Sequence, residues 1–170
     1  SDVCSSDLVA ALRQDQRMLA CLAGRPCDRD GLLASWASFL RLRPEAYFVY
    51  FSDLSGHIMA MQPPRELPAD FDGSVRPWFR RAMRNPGVVG WSDPYTEIIT
   101  GKTVVSTVAT VDDPAGGKPL GVLCLDITTE GLRTILHGVA LPKGSGLLVL
   151  TADGQTVTAT GLGAMLADRM

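Results

Sequence analysis

The sequence is short of nearly everything that builds a catalytic centre, a metal site or a nucleic-acid surface. Two histidines (His57, His137) and four cysteines (Cys4, Cys21, Cys27, Cys124) are scattered over 170 residues. No cysteine pair has C-x-x-C spacing, so neither a zinc site nor a disulfide scaffold is expected. There is no G-x-S-x-G elbow, P-loop, G-x-G-x-x-G or H-E-x-x-H. No catalytic residue, metal ligand or cofactor is expected, and neither histidine has a sequence-local acid and nucleophile beside it. Charge of one sign is also lacking: the formal net charge is −2, which gives no basic field for nucleic acid or an anionic membrane. No uncharged apolar run approaches the roughly 18–20 residues that span a bilayer. What is present, 46% hydrophobic and 20% charged residues, is globular composition and excludes disordered, collagenous and coiled-coil classes. The length fits one domain with a stub of a second.

Ser1-Asp2-Val3-Cys4-Ser5-Ser6-Asp7-Leu8 reads as the translation of a sequencing-adapter end, with no initiator Met and no secretory signal. Residues 1–8 are set aside from fold reasoning on that ground, and a reading frame cut at its start leaves a preceding membrane anchor open. Cys21 and Cys27 either bridge a helix end to the next loop in an oxidising compartment or stay as two free thiols; the second is the favoured expectation.

From Val9 to Leu22, Ala11, Leu12, Met18, Leu19 and Leu22 share one helical side and Arg13, Gln14 and Arg17 the other. Gly24, Pro26 and the Asp28/Asp30 cluster end this helix. Asp30 is the expected cap of a second, with Leu32, Leu33, Trp36, Phe39 and Leu40 on one face and Pro44 as its stop. Tyr47–Phe51, a Ser52–Gly56 turn and His57–Met61 read as a β-hairpin. Pro63, Pro64 and Pro68 impose an extended loop, and a short helix follows at 77–84 with Ser74 as its cap. Strands are expected at Tyr95–Ile99, Thr103–Val111 and Leu120–Thr128, antiparallel because their connections are short. Thr129–Val139 reads as a helix buried through Leu132, Ile135 and Leu136. Residues 147–160 repeat the hairpin pattern of 47–61.

The order predicts an α+β fold. It is a PAS-like antiparallel sheet of about five strands, with helices on one face and a concave pocket on the other, a long N-terminal helix, and the start of a second, truncated PAS-like module. The divisions are N-terminal helices at 9–43, a first PAS-like module at 44–139 and the second module at 144–170.

The informative stretch is Asp70–Tyr95 together with Asp126. Asp72-Gly73-Ser74-Val75-Arg76-Pro77-Trp78-Phe79 sets an arginine beside a tryptophan on proline-restricted backbone; a guanidinium fork matches a carboxylate, and an indole adds an N–H and an apolar wall. Arg76, Arg80 and Arg84 recur at helical spacing and, taken alone, describe a solvated helix face. Trp91-Ser92-Asp93-Pro94-Tyr95 brings further aromatics to a strand start. Asp126 ends the apolar run Gly121–Leu125, where a carboxylate is costly unless paired or solvated.

In combination and in this order, the Asp-x-x-x-Arg-Pro-Trp-Phe segment, Trp-Ser-x-Pro-Tyr, the Thr-Gly turn before a Thr/Val strand, and Gly-Val-x-x-x-Asp-Ile resemble the double Cache sensor domain over about residues 9–160. That resemblance implies an extracytoplasmic, periplasmic sensor of small molecules in an inner-membrane chemoreceptor, histidine kinase or diguanylate cyclase. Transmembrane helices would flank it, and its long first helix would be a signalling and homodimer element. A subgroup binds amino acids through Tyr…Arg-x-Trp…Tyr…Asp. By position, Arg76 and Trp78 would hold a ligand carboxylate and Tyr95 and Asp126 its ammonium, with Glu97, on the Tyr95 face, as a second acceptor. Phe71 stands where the subgroup has tyrosine, Ser74 where the family has its first arginine, and Phe79 where it has tyrosine, so a plain carboxylate is a rival ligand. A ligand-free dimerisation or spacer module and an extracytoplasmic enzyme are the alternatives from other classes.

Overall fold

A computed structural model describes residues 5–151 and 153–167. Three helices come first, α1 (Ser5–Leu12), α2 (Gln16–Leu22) and α3 (Arg29–Leu42). The 9–22 segment is therefore two short helices, and the described residues contain no long N-terminal helix. The reason is local: the Asp15 carboxylate accepts from the Arg17 amide at 2.9 Å and caps a new helix. The same competition moves the cap of α3 from Asp30 to Asp28, whose side chain accepts from the Gly31 amide at 2.9 Å. Cys21 and Cys27 form a disulfide with Cα atoms 5.2 Å apart, contrary to the favoured pair of free thiols. The link ties α2 to the entry of α3.

The hairpin β1 (Ala46–Asp53) and β2 (Ile58–Gln62) follows, then a 3-10 turn at Gly73–Val75, α4 (Pro77–Arg84), β3 (Gly90–Trp91), β4 (Tyr95–Thr96), β5 (Thr103–Asp112) and β6 (Pro119–Thr128). They form one antiparallel sheet in the order β2-β1-β6-β5-β3, with β4 also paired to β5. Six strands replace the expected five or so because Gly90–Trp91, two residues long, is too short to leave a periodic pattern. The expected strand Tyr95–Ile99 stops after Thr96, since the Glu97 side chain captures the following amides and turns the chain. The cap expected of Ser74 falls to Asp72, which accepts from the Ser74 amide at 2.9 Å.

The central strands are covered on both sides, so they read as near-continuous apolar runs. Val49, Phe51, Ala109, Val111, Leu123 and Leu125 pack under α1–α3 with Met18, Leu32 and Trp36. On the other side Phe48, Tyr50, Val108, Val122 and Cys124 pack with Trp78, Phe79 and Ala82 of α4. Beyond α5 (Thr129–His137), whose Leu132, Ile135 and Leu136 are half-buried, β7 (Gly146–Leu150) and β8 (Thr156–Gly161) make a separate two-stranded sheet followed by α6 (Leu162–Ala167). The adapter-like residues 5–8 lie in α1, and residues 1–4 lie outside the described residues.

One close backbone contact joins the β1–β2 turn to the 3-10 turn before α4. Gly56, at φ +82°, closes the β1–β2 turn, and a Cβ there would fall 2.2 Å from the Ser74 nitrogen. A Cβ on Gly73 would fall 2.1 Å from the Gly56 carbonyl oxygen. Gly101 has a similar φ of +74° but opens onto empty space. Gly56→Ala therefore combines left-handed strain with a backbone collision. It should lower the unfolding free energy by at least about 1 kcal/mol more than Gly101→Ala, measured by urea denaturation.

Candidate functional site

The site is built where α4 meets the sheet. Arg76 precedes Pro77, and a residue before proline is pushed to extended backbone; here it has φ −76° and ψ 151° at the N-cap of α4. The half-buried side chain thus leaves the helix and reaches β4, where Nη2 donates to the Thr96 carbonyl at 2.9 Å. Its Cζ lies 5.7 Å from the centroid of the Tyr95 ring, within cation–π range. Trp78, two residues on and only 2% exposed, meets Tyr50 edge-on at 5.2 Å between centroids.

Asp126 comes from the opposite wall. Strand register places it beside Ser106 of β5 and Phe48 of β1, on the sheet face turned to α4, and it is 2% exposed. Its Oδ1 accepts four bonds: from Ser106 Oγ at 2.6 Å, Cys124 Sγ at 3.2 Å, and the Tyr50 and Tyr95 hydroxyls at 3.3 Å each. Among the described residues no donor reaches Oδ2. All four donors are neutral. Burial drives the Asp126 pKa up to about 6, and those hydrogen bonds only partly offset it. Burial and the neighbouring carboxylate push the Tyr50 and Tyr95 phenols and the Cys124 thiol upward as well, so these three stay protonated donors.

Phe71, Arg76, Trp78, Tyr95, Glu97 and Asp126, the six residues singled out in the sequence, line one cavity. It encloses about 330 Å³ of atom-free space including its mouth, of which a water's centre can occupy about 30 Å³. The first figure is at the lower end for ligand pockets; the second leaves room for about two waters, so a ligand of amino-acid size must part the walls. Arg76 and Asp126 share the cavity without forming an ion pair.

Glu97 differs from expectation in what its carboxylate does. It accepts from the amides of Ile99 at 2.7 Å, Thr100 at 2.9 Å and Lys102 at 3.3 Å, and from the Thr100 hydroxyl. Burial alone would raise its pKa, but these bonds outweigh it and lower it. Both of its oxygens are thus engaged by its own turn. Trp91 is 38% exposed and outside the cavity. Arg80 and Arg84 are exposed, as a solvated face requires, while Arg81 Nε donates to the Trp91 carbonyl at 2.8 Å. His57 and His137 are exposed, and the described residues contain no cluster of three metal-ligating side chains.

The sequence reading did not pick out Tyr50, Ser106 and Cys124 as partners of Asp126, nor Ser92, whose hydroxyl accepts from the Ser106 amide at 2.9 Å. Cys124 and Asp126 share a face by strand alternation, a signal available in one strand alone. Tyr50 and Ser106 needed the cross-strand register.

The sheet order and flanking helices give the chain the fold of solved chemoreceptor ligand-binding domains. No family model matches the chain. Among solved structures, the ligand-binding domain of the Pseudomonas fluorescens chemoreceptor CtaA in complex with L-isoleucine is similar with a TM-score of 0.64 and 25% identity, over 90% of this chain and 58% of that one. The ligand-binding domain of the Pseudomonas aeruginosa amino-acid chemoreceptor PctB in complex with L-Arg gives a TM-score of 0.64 and 24% identity, over 90% and 60%. In sequence, the chain is 28% identical over 96 residues to the methyl-accepting chemotaxis protein McpC of Bacillus subtilis, 56% of this chain and 14% of McpC. The chain thus spans about one-seventh of that relative's length.

Asp126 makes the pH dependence of folding predictable. A carboxyl whose folded pKa is about 6 against an ordinary 3.8 holds its proton more tightly when folded. The stability this confers is complete below about pH 4 and is lost as pH rises through 6. The difference amounts to about 3 kcal/mol. Between pH 4 and pH 7 the unfolding free energy of Asp126→Asn should therefore gain about that much relative to the parent chain, measured by denaturant titration at both pH values.

Proposed function

We propose that this chain is the small-molecule sensing part of a bacterial transmembrane signalling receptor, facing the periplasm, and that it binds an α-amino acid in the cavity between α4 and the sheet. The observation that carries the proposal is the pairing of opposite charges with space between them: a guanidinium anchored on β4, and a buried carboxylate with one oxygen open. A zwitterion needs a donor fork at one end and an anion at the other, both shielded from water. Arg76, with the Trp78 wall beside it, takes the carboxylate; Asp126 Oδ2 and the Tyr95 hydroxyl region take the ammonium. Support comes from the relatives, which are methyl-accepting chemotaxis proteins, and from the CtaA and PctB domains, whose structures hold amino acids.

No described helix is long and apolar enough to cross a membrane, so anchoring belongs to the proposed whole receptor. Any catalytic output would lie in another part of that receptor. Ligand binding parts the narrow cavity and shifts the population of receptor states, transmitted through a homodimer of sensor domains along the N-terminal helical segment. A second reading, a plain organic acid, is favoured by Phe71, which offers no hydroxyl to an ammonium group.

Thermal-shift screening of the chain against the L-amino acids tests the proposal. At least one should raise the melting temperature. Arg76→Ala should weaken that ligand by ten- to hundredfold, equivalent to about 1.5–3 kcal/mol for a charged hydrogen bond. Equal shifts for parent and variant would remove Arg76 from the site.

A further inference from the structure

The walls of the cavity also specify the rest of the ligand. Three charged residues line it. Arg76 and Asp126 address the two charged ends of an amino acid, and Glu97 has both oxygens engaged by the turn it closes. No charge remains for a ligand side chain. Apart from the aromatic residues Phe48, Tyr50, Trp78 and Tyr95, whose two hydroxyls bond to Asp126, the remaining surface is apolar: Ile58 and Met61 from β2, Leu67 and Phe71 from the proline loop, and Ile98 and Ile99 from the β4–β5 turn. None of these six side chains carries a strong hydrogen-bonding group.

We propose that the site selects α-amino acids with an uncharged aliphatic side chain of about leucine size, and that Ile58, Met61, Leu67, Phe71, Ile98 and Ile99 form its specificity wall. The inference rests on the zwitterion reading above. A charged side chain would be stranded among these apolar groups without a partner. An aliphatic one gains about fourfold in affinity for each methylene buried. The small cavity sets the upper size, because an indole would have to part the walls much further than a leucine side chain.

Isothermal titration of the full chain with L-leucine, L-alanine, L-tryptophan, L-arginine, L-aspartate and 4-methylpentanoate (leucine without its amino group) tests this. Leucine should bind at least tenfold more tightly than each of the other four amino acids. Ile98→Glu places a carboxylate on the wall at a position 45% exposed, where the fold tolerates it. It should collapse the leucine-to-alanine preference to below threefold; if that variant does not fold, Leu67→Glu carries the same test. A preference of less than tenfold over any of those amino acids, or a wall variant that keeps the leucine-to-alanine ratio, overturns the side-chain assignment while the zwitterion reading stands. Binding by no amino acid, or 4-methylpentanoate binding as well as leucine, overturns the zwitterion reading itself.

Discussion

A single oxygen atom gathers the middle of this structure. Oδ1 of Asp126 takes donors from four strands: Tyr50 on β1, Tyr95 on β4, Ser106 on β5 and Cys124 on β6. Burying a carboxylate there is unfavourable, and neutral donors reduce the penalty without removing it. The arrangement works only if three long strands keep their register, because a one-residue slip would turn Ser106 or Tyr50 to the opposite face. The apolar packing on both faces of β5 and β6 supplies that constraint. The hydrophobic layers thus hold a polar centre that they would not favour by themselves.

The cationic half of the site depends on backbone rather than on packing. Proline at position 77 keeps Arg76 extended and outside the helix, while the Gly56–Gly73 contact fixes how closely the turn before it approaches the hairpin. Arg76 then rests on β4 through the Thr96 carbonyl and the Tyr95 ring. Tyr95 in turn bonds to Ser106 and Asp126. Guanidinium and carboxylate are therefore linked through one tyrosine, yet kept from neutralising each other. This separation gives the cavity an electric dipole rather than an internal ion pair.

Much of this was legible from residue order because it rests on local rules. Aromatic and β-branched apolar runs located β1, β5 and β6, proline and glycine located the breaks, and an isolated acid after an apolar run marked Asp126. The errors have a common physical origin in short polar side chains that compete with the backbone. Asp15 splits a helix whose apolar period runs on through it, Asp28 takes a cap that Asp30 fits equally well in sequence, and Glu97 stops a strand whose residues all favour extension. Each choice turns on which amide the carboxylate reaches in three dimensions. The Cys21–Cys27 bridge is of the same kind: six residues of separation permit it, and only the approach of α2 to the entry of α3 decides it.

Three carboxylates compared side by side show why only one of them marks a binding site. Asp15 is 2.6 Å from the Arg17 guanidinium, so its charge is balanced within its own helix entry. Glu97 has both oxygens held by amides of a single turn. Asp126 has one oxygen crowded with neutral donors and the other left to the cavity. The first two have lowered pKa values because their hydrogen bonds and charges outweigh burial, and the third a raised one because burial outweighs its four neutral hydrogen bonds. Cationic and amide donors complete the shell of an anion, whereas hydroxyls on one side leave it wanting a cation on the other. Burial alone would not separate these cases, since Glu97 and Asp126 are both nearly inaccessible. The discriminating feature is the unmet coordination of a buried charge, and in this fold the residue that carries it lines the same cavity as Arg76.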